Sequence, residues 1–409
     1  MEDTQPISLG ILGGTFNPIH TGHIRLALYV QEKLMLDRVL VIPDRLPPHK
    51  KAPDLLPGVD RLELCRKACA PYPQLEVSDM ELKREGNSYT VDTLTSLKER
   101  FPNTSLTLIV GSDMFLTIDT WKSSREIFRL AQICTGAREK EDIPRLEDKK
   151  KDLEKLGAVC HILDLPVFEV SSTQLRKAVS LGADRSYLSV WMGEDEADYL
   201  LQKSYYQLGE TEQNPECLRF LPLLQERLSK KRLFHCRCVA DMSQAMAEKF
   251  FPGEADPEKA RLAGLLHDIC REAPTEEQLE LIQREGLEWD PIIFETPSVW
   301  HGFAGAAFLK ENCGISDEDL LNAVRFHTTA RKDMSSLEKI VFLADAVSLD
   351  RIYPGAQELK EACRASFEEG MLACLKYSIS HLAEKETPIG KYTWEAFNQI
   401  VLSRKKQFS

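Results

Sequence analysis

The periodicity of apolar residues changes once along this chain, near residue 205, and that change limits the folds open to it. Before it, ISLGILGG, RVLVIP, LEVSDME, SLTLIVG, AQICTG and VCHILDLP read as short buried strands. Between them, TGHIRLALYVQEKLM and DRLELCRKAC repeat their apolar residues at helical spacing. Strands alternating with helices of about 10–15 residues predict βαβ units and a parallel sheet. A polar break, LGETEQNPE at 208–216, follows. Beyond it strand signals cease: FLPLLQERLSKKRLFHCRCVADMSQAMAEKF, DPEKARLAGLLHDICRE, DEDLLNAVRFHT and SSLEKIVFLADAVS all carry three- and four-residue spacing. Asp256-Pro257 and Ser335/Ser336 are the expected helix starts. The expected plan is therefore an α/β domain at 1–207, a linker at 208–216 and an all-α domain at 217–409.

A chain of 409 residues exceeds a single typical core, in line with that division. A net charge of −12 lacks the basic footprint of a nucleic-acid-binding protein. No apolar run approaches membrane-spanning length and MEDTQP lacks a basic, apolar leader, so neither membrane span nor secretion signal is expected. The eleven cysteines are odd in number, scattered and without a C-x-x-C pair. Free thiols in a reducing cytoplasm are the expectation.

Chemistry concentrates first in GGTFNPIHTGH, residues 13–23. Gly13 and Gly14 allow a sharp turn that brings backbone N–H groups to an anion. A helix starting near Thr21 adds its own free N–H groups, with His20 just ahead of it and His23 in its first turn. Both imidazoles can then donate to one phosphate. In SSTQLRKAV, Ser172 or Thr173 opens another helix, and Arg176 lies on the same face with a fork suited to phosphate oxygens.

GGTFNPIHTGH resembles the signature of the H-x-G-H nucleotidyltransferases and, among them, the bacterial nicotinate-mononucleotide adenylyltransferases. VIPDRLPPHK (41–50), NSYTVDTL (87–94), GSDMFLTIDTW (111–121) and VSSTQLRKAV (170–179) are similar to later segments of that family, in the same order. The resemblance implies a Rossmann-like domain in which the mononucleotide phosphate attacks the α-phosphorus of ATP and pyrophosphate leaves, with Mg²⁺ on the departing phosphates. It implies His20, His23, Lys50 and Arg176 as the groups that stabilise transferring and leaving phosphates. Gly13, Gly14, Thr15, Phe16, Ser172 and Thr173 would bind ATP, and Thr90, Asp113 and Trp121 would shape the mononucleotide pocket. Asn17 stands where many relatives have aspartate, and AREKED, including Arg138, replaces the usual arginine-proline-glycine. His49 reads as solvated and His161 as structural.

The second half places His235, His267-Asp268, His301, His327 and Asp345 in helical, largely apolar surroundings, with His381 left over as a structural or solvated residue. A carboxylate in such surroundings needs a cation to meet it. Imidazole with carboxylate suits Fe, Mn, Co or Zn better than Ca²⁺. The order H…HD…H…H…D resembles the HD-superfamily metal phosphohydrolases. HTTARKDMSSLEKIVFLADAVSLDR and TWEAFN are similar to the bacterial HD-domain symmetrical diadenosine-tetraphosphatases. That resemblance implies a dinuclear centre, with iron as its first candidate. His235, His267, Asp268 and Asp345 would hold one metal, and His301 and His327 the other, with Asp268 bridging. Arg271 and Arg351 would hold substrate phosphate, and two ADP would be released. The expected small-molecule partners are ATP, nicotinate mononucleotide and diadenosine tetraphosphate, with no nucleic acid. Alternatives are a nucleotide-sensing module, or hydrolysis of a guanosine polyphosphate, a cyclic dinucleotide or a nucleoside triphosphate. The first half has an alternative too: an amidated mononucleotide or another phosphorylated acceptor.

Overall fold

A computed structural model describes residues 8–45, 54–137, 142–164, 170–206, 214–285 and 290–407. The chain divides into two compact units, Met1–Lys177 with Arg185–Tyr206, and Ala178–Asp184 with Gln207–Ser409.

The first unit is built on six parallel strands: β1 (Ser8–Gly14), β2 (Arg38–Pro43), β3 (Leu75–Val77), β4 (Ser105–Val110), β5 (Gln132–Ala137) and β6 (Cys160–Asp164). Their order across the sheet is β3-β2-β1-β4-β5-β6. All six fall on the apolar runs read as strands. Continuous burial along β2 and β4 after one exposed residue is what helices on both faces of a parallel sheet require. Chain order reverses between β1 and β4, which pair from Ser8 opposite Ser105 to Leu12 opposite Ile109. In such sheets the carboxyl-end crevice at the reversal is where ligands bind. GGTF leaves β1 at that edge, and GSDM leaves β4 beside it.

The second unit is helical throughout its described residues. The helix Trp300–Cys313 is buried on every side from Trp300 to Leu309 and packs against the helices Thr275–Arg284 and Glu318–Arg325. Both expected helix starts are present. The Asp256 side chain accepts from the Glu258 and Lys259 N–H groups, and Ser335 forms a reciprocal cap with Glu338. The apolar run over 220–250 forms two helices, Pro215–Arg227 and Lys230–Phe250, and the Ser229 side chain caps the second by accepting from the Arg232 N–H.

All eleven cysteines are free thiols, ten of them buried. Among the described residues, no helix is long and apolar enough to cross a membrane.

Candidate functional site

In the first unit the site grows from the loop between β1 and the helix Thr21–Lys33. The turn differs from expectation in one respect. Its left-handed residue is Phe16 (φ 46°), whereas Gly13 and Gly14 finish β1 and pair with Ile42 and Pro43. The Phe16 ring then meets His23 edge-on at 5.1 Å. His20 occupies the cap position of the helix, 8 % exposed, with its ring centroid 3.7 Å from that of His23. A Cβ at Gly22 would lie 3.0 Å from His20 Nδ1, so the residue between the histidines has to be small. The His20 N–H donates to His23 Nδ1 at 3.2 Å. A neutral His23 therefore carries its proton on Nε2, ready to donate outward.

The helix Ser172–Leu181 is tied to the same loop. The Ser172 hydroxyl donates to the Pro18 carbonyl at 2.8 Å, and Arg176 Nη1 donates to the Asn17 carbonyl at 2.8 Å. Thr15 donates to Asp44 at 2.9 Å, joining the ends of β1 and β2. Sequence reasoning missed Arg61, 1 % exposed, which donates to the carbonyls of Thr15, Leu56 and Arg45 and pairs with Asp44 at 3.3 Å. Nothing in its local sequence marks it, since its partners come from three separate segments.

The structure thus gathers His20, His23, Ser172 and Arg176 around Asn17–Pro18. Thr173 Oγ1 sits 3.3 Å from Arg176 Nη2. Thr90 opens the helix Thr90–Arg100, Asp113 is exposed in the turn Ser112–Phe115, and Trp121 packs partly buried against the sheet core. These three lie on elements leaving the same sheet edge. Lys50, His49 and Arg138 lie outside the described residues.

In the second unit, two close helix contacts assemble the cluster. At Gly264 a Cβ would lie 2.9 Å from both Ala240 Cα and the Val239 carbonyl, and at Gly302 it would lie 2.8 Å from the Arg325 carbonyl. The first contact brings His267 to His235, and the second brings His301 to His327. Asp268 stands between the pairs, 3 % exposed, and its two oxygens face different groups. Oδ2 lies 3.7 Å from His235 Nε2 and 3.4 Å from His267 Nε2. Oδ1 lies 3.2 Å from His301 Nε2 and 3.6 Å from His327 Nε2. Asp345 Oδ1 sits 3.0 Å from His235 Nε2 and 3.9 Å from His267 Nε2. Its side chain remains 19 % exposed, less buried than its apolar helix implied.

The outer ring nitrogens explain why the inner ones converge. His267 Nδ1 is bonded to the Gly264 carbonyl and His327 Nδ1 to the Val324 carbonyl, each at 2.7 Å. Carbonyls only accept, so the proton sits on Nδ1 and each Nε2 lone pair faces inward. His267 Nε2 is fully buried without a hydrogen-bond partner, the state of a nitrogen that fits a metal. His235, His267 and Asp345 form one group of ligand atoms within 4.8 Å of one another, and His267, Asp268 and His327 form another. Donor set and geometry fit a pair of transition metals.

His301 differs. Arg271 donates to its Nδ1 at 2.8 Å and to the Ser298 carbonyl at 2.9 Å, leaving the His301 proton on Nε2. Burial pushes His301 down to about 4, so it is neutral. Ligation through Nε2 requires Arg271 to let go of the ring. Arg351 donates to the Asp345 carboxylate and backbone carbonyl. Two partners escaped sequence reasoning: Arg232, 2.8 Å from Asp268 Oδ2, and Asp350, 2.8 Å from His235 Nδ1. Burial opposes a charged His235, but Asp345 and Asp350 together push it up to about 9. Burial likewise opposes ionisation of Asp268, yet the facing imidazoles hold its carboxyl well below the usual range.

The cytidylyltransferase-like family matches residues 11–178, and the HD domain matches 232–350. A "Probable nicotinate-nucleotide adenylyltransferase" of Dictyoglomus thermophilum is 36 % identical over 200 residues, covering 49 % of this chain and all of that protein. The chain belongs to the nicotinate-nucleotide adenylyltransferase family. Another member, from Lachnoclostridium phytofermentans, is 34 % identical over 48 % of this chain and 98 % of its own length. In both cases the family accounts for about half of this chain; the second unit carries the HD domain. A solved "predicted HD superfamily hydrolase involved in NAD metabolism" from Clostridium acetobutylicum is 32 % identical over 48 % of this chain and all of its own, with a TM-score of 0.43.

Proposed function

We propose that this chain carries two nucleotide activities, divided at the 208–216 linker. Residues 1–207 transfer the adenylyl group of ATP to nicotinate mononucleotide, giving the deamido-NAD precursor and pyrophosphate. Residues 217–409 hydrolyse diadenosine tetraphosphate symmetrically to two ADP.

For the first activity, the supporting observation is the fixed pair His20/His23 at a helix N-terminus on the reversal edge of the sheet. A phosphate oxygen of the mononucleotide attacks the α-phosphorus, the bond from that phosphorus to the β-phosphate bridging oxygen breaks, and pyrophosphate leaves. No covalent enzyme intermediate is needed, so the residues act by position and charge. His23 Nε2–H and His20 donate to the transferring group, and Arg176, held by the Asn17 carbonyl, meets the departing phosphates. Gly13, Gly14, Thr15, Phe16, Ser172 and Thr173 shape the ATP side, and Thr90, Asp113 and Trp121 the acceptor side. Lys50 is assigned by resemblance alone. Mg²⁺ bound with ATP would supply the charge neutralisation on the leaving phosphates.

For the second activity, the supporting observation is the division of the Asp268 oxygens between two imidazole pairs. His235, His267 and Asp345 would hold one metal and His327 and His301 the other, with Asp268 bridging. When bound, the pair supplies Lewis acidity at the phosphate under attack. Asp350 holds the His235 ring in place. Arg271 and Arg351 lie beside the cluster, where they can turn to substrate phosphate.

The test uses the purified full chain with its metal content measured. ATP with nicotinate mononucleotide should release pyrophosphate, faster than with the amidated mononucleotide. Diadenosine tetraphosphate should yield ADP alone. AMP with ATP as products would refute symmetrical cleavage. A metal-loaded chain inert toward every nucleotide would turn the second reading into a sensor.

A further inference from the structure

The last described residues of the first unit reach into the loop that carries His20. After the helix Glu194–Gln202, Ser204 (φ 55°) and Tyr206 (φ 60°) both adopt left-handed backbone. For side chains with a Cβ this conformation is strained and persists only where surrounding contacts enforce it. Here the contacts are three phenols. Tyr199 and Tyr205 donate to the two oxygens of Asp60 at 2.7 and 2.6 Å, and Tyr206 donates to Asn17 Oδ1 at 2.5 Å.

Asn17 is 6 % exposed and its amide orientation is fixed by partners that admit one reading. The Leu56 N–H, which only donates, lies 3.0 Å from Oδ1, and the Asp54 carbonyl, which only accepts, lies 3.0 Å from Nδ2. The Tyr206 hydroxyl must therefore donate. The Asn17 main-chain carbonyl is the acceptor that holds Arg176, and Asn17 stands three residues ahead of His20. One residue, Asn17, thus joins the Tyr206 phenol through its side chain to the guanidinium and the histidine loop through its main chain.

We infer that Tyr206 is a positioning residue for adenylyl transfer, acting through Asn17 on Arg176. The inference rests on the adenylyltransferase reading above. Without the phenol, Oδ1 keeps only the Leu56 N–H and Nδ2 the Asp54 carbonyl, so Asn17 is held from the 54–56 segment alone and its peptide is placed less firmly. The Arg176 anchor moves with it. The ground-state mononucleotide does not depend on that anchor, so the loss falls on kcat rather than on its KM.

The experiment is a double-variant cycle in the full chain, followed by pyrophosphate release from ATP and nicotinate mononucleotide. Tyr206→Phe keeps the ring and should lower kcat about tenfold, the scale of one hydrogen bond, with the mononucleotide KM within about twofold. In the Arg176→Ala background the same change should cost less than about twofold, because its target is gone. Tyr205→Phe keeps the ring beside Tyr206 and loses only the hydroxyl that donates to Asp60, so it should lower the unfolding temperature and leave kcat unchanged. Equal losses from Tyr205→Phe and Tyr206→Phe would overturn the inference, as would equal factors in both backgrounds. Wild-type turnover with Tyr206→Phe unaffected defeats this inference alone. No turnover by the wild type with that acceptor defeats the adenylyltransferase reading and this inference together.

Discussion

The two candidate sites solve opposite problems. On the proposed reading, the first would meet phosphate with donors the chain itself supplies: a helix N-terminus, two imidazoles and one guanidinium anchored on a carbonyl. Its loop is braced from within, as the His20 N–H bonded to His23 Nδ1 shows. The second concentrates ionisable groups: Asp268 is 3 % exposed and His267 fully buried, with Nε2 unpartnered. Buried charges of this kind are tolerable only when opposite charges meet them. Arg232 and Arg351 meet the carboxylates in part, and the inward lone pairs call for a cation as well. A site that binds anions can be finished by the chain itself, whereas this donor set is one a metal ion would complete.

Removing the carboxylate between the pairs gives the sharpest break in that comparison. Asp268→Ala should lower metal content and reduce hydrolysis by at least about a thousandfold, while pyrophosphate release stays at the wild-type rate. Elemental analysis and both assays on one preparation decide it; full metal occupancy in the variant would remove Asp268 from the bridge. His23→Ala is the mirror experiment. Loss of one donor to developing charge typically costs about 10²–10³-fold in turnover. Pyrophosphate release should fall by that factor with metal content and hydrolysis unchanged. Joint loss of both activities in a folded variant would contradict their independence.

The sequence made some parts of this arrangement legible and concealed others for identifiable reasons. The strands were readable because a parallel sheet buries both faces, leaving continuous apolar runs such as SLTLIV. His20 and His23 were readable because their spacing of three is local. The long-range cluster from His235 to Asp345 was readable only as an ordered pattern. Its supporting residues were not. Asp350 lies 115 positions from His235, Arg232 lies 36 from Asp268, and the partners of Arg61 come from three segments. Each is an ordinary polar residue in its own window, and only packing gives it a task.

Asp350 tests how far the metal site depends on such a partner. It accepts from His235 Nδ1 at 2.8 Å and is itself held by the Ser348 hydroxyl at 2.7 Å. Asp350→Asn removes the charge that fixes the imidazole tautomer. Carboxylates bonded to metal-binding histidines typically contribute about 10–100-fold to metal affinity or activity. The variant should lose metal to a competing chelator at correspondingly lower concentration, with pyrophosphate release unchanged. Unaltered chelator titration would show that His235 is oriented by the cluster alone.

The smallest effect belongs to the first unit, where a charge does serve the fold. Burial works against ionised Asp60, but the hydroxyls of Tyr205 and Tyr199 and the Lys203 ammonium outweigh it and hold the carboxyl below its ordinary value. A group whose pKa is depressed by folding stabilises the native state above its unfolded pKa of about 3.9. That contribution is lost as pH falls through the lower folded value. Asp60→Asn keeps an oxygen for one phenol and discards the charge, so its unfolding temperature should fall by a few degrees at pH 7, on the scale of about 1 kcal/mol. On the adenylyltransferase reading, the transition belonging to this unit is identified as the one that added ATP should shift upward. Below about pH 4 the gap between wild type and variant should close, because the wild-type carboxyl is then being protonated as well. A gap that stays constant down to pH 3 would assign the loss to packing of the three tyrosines rather than to charge.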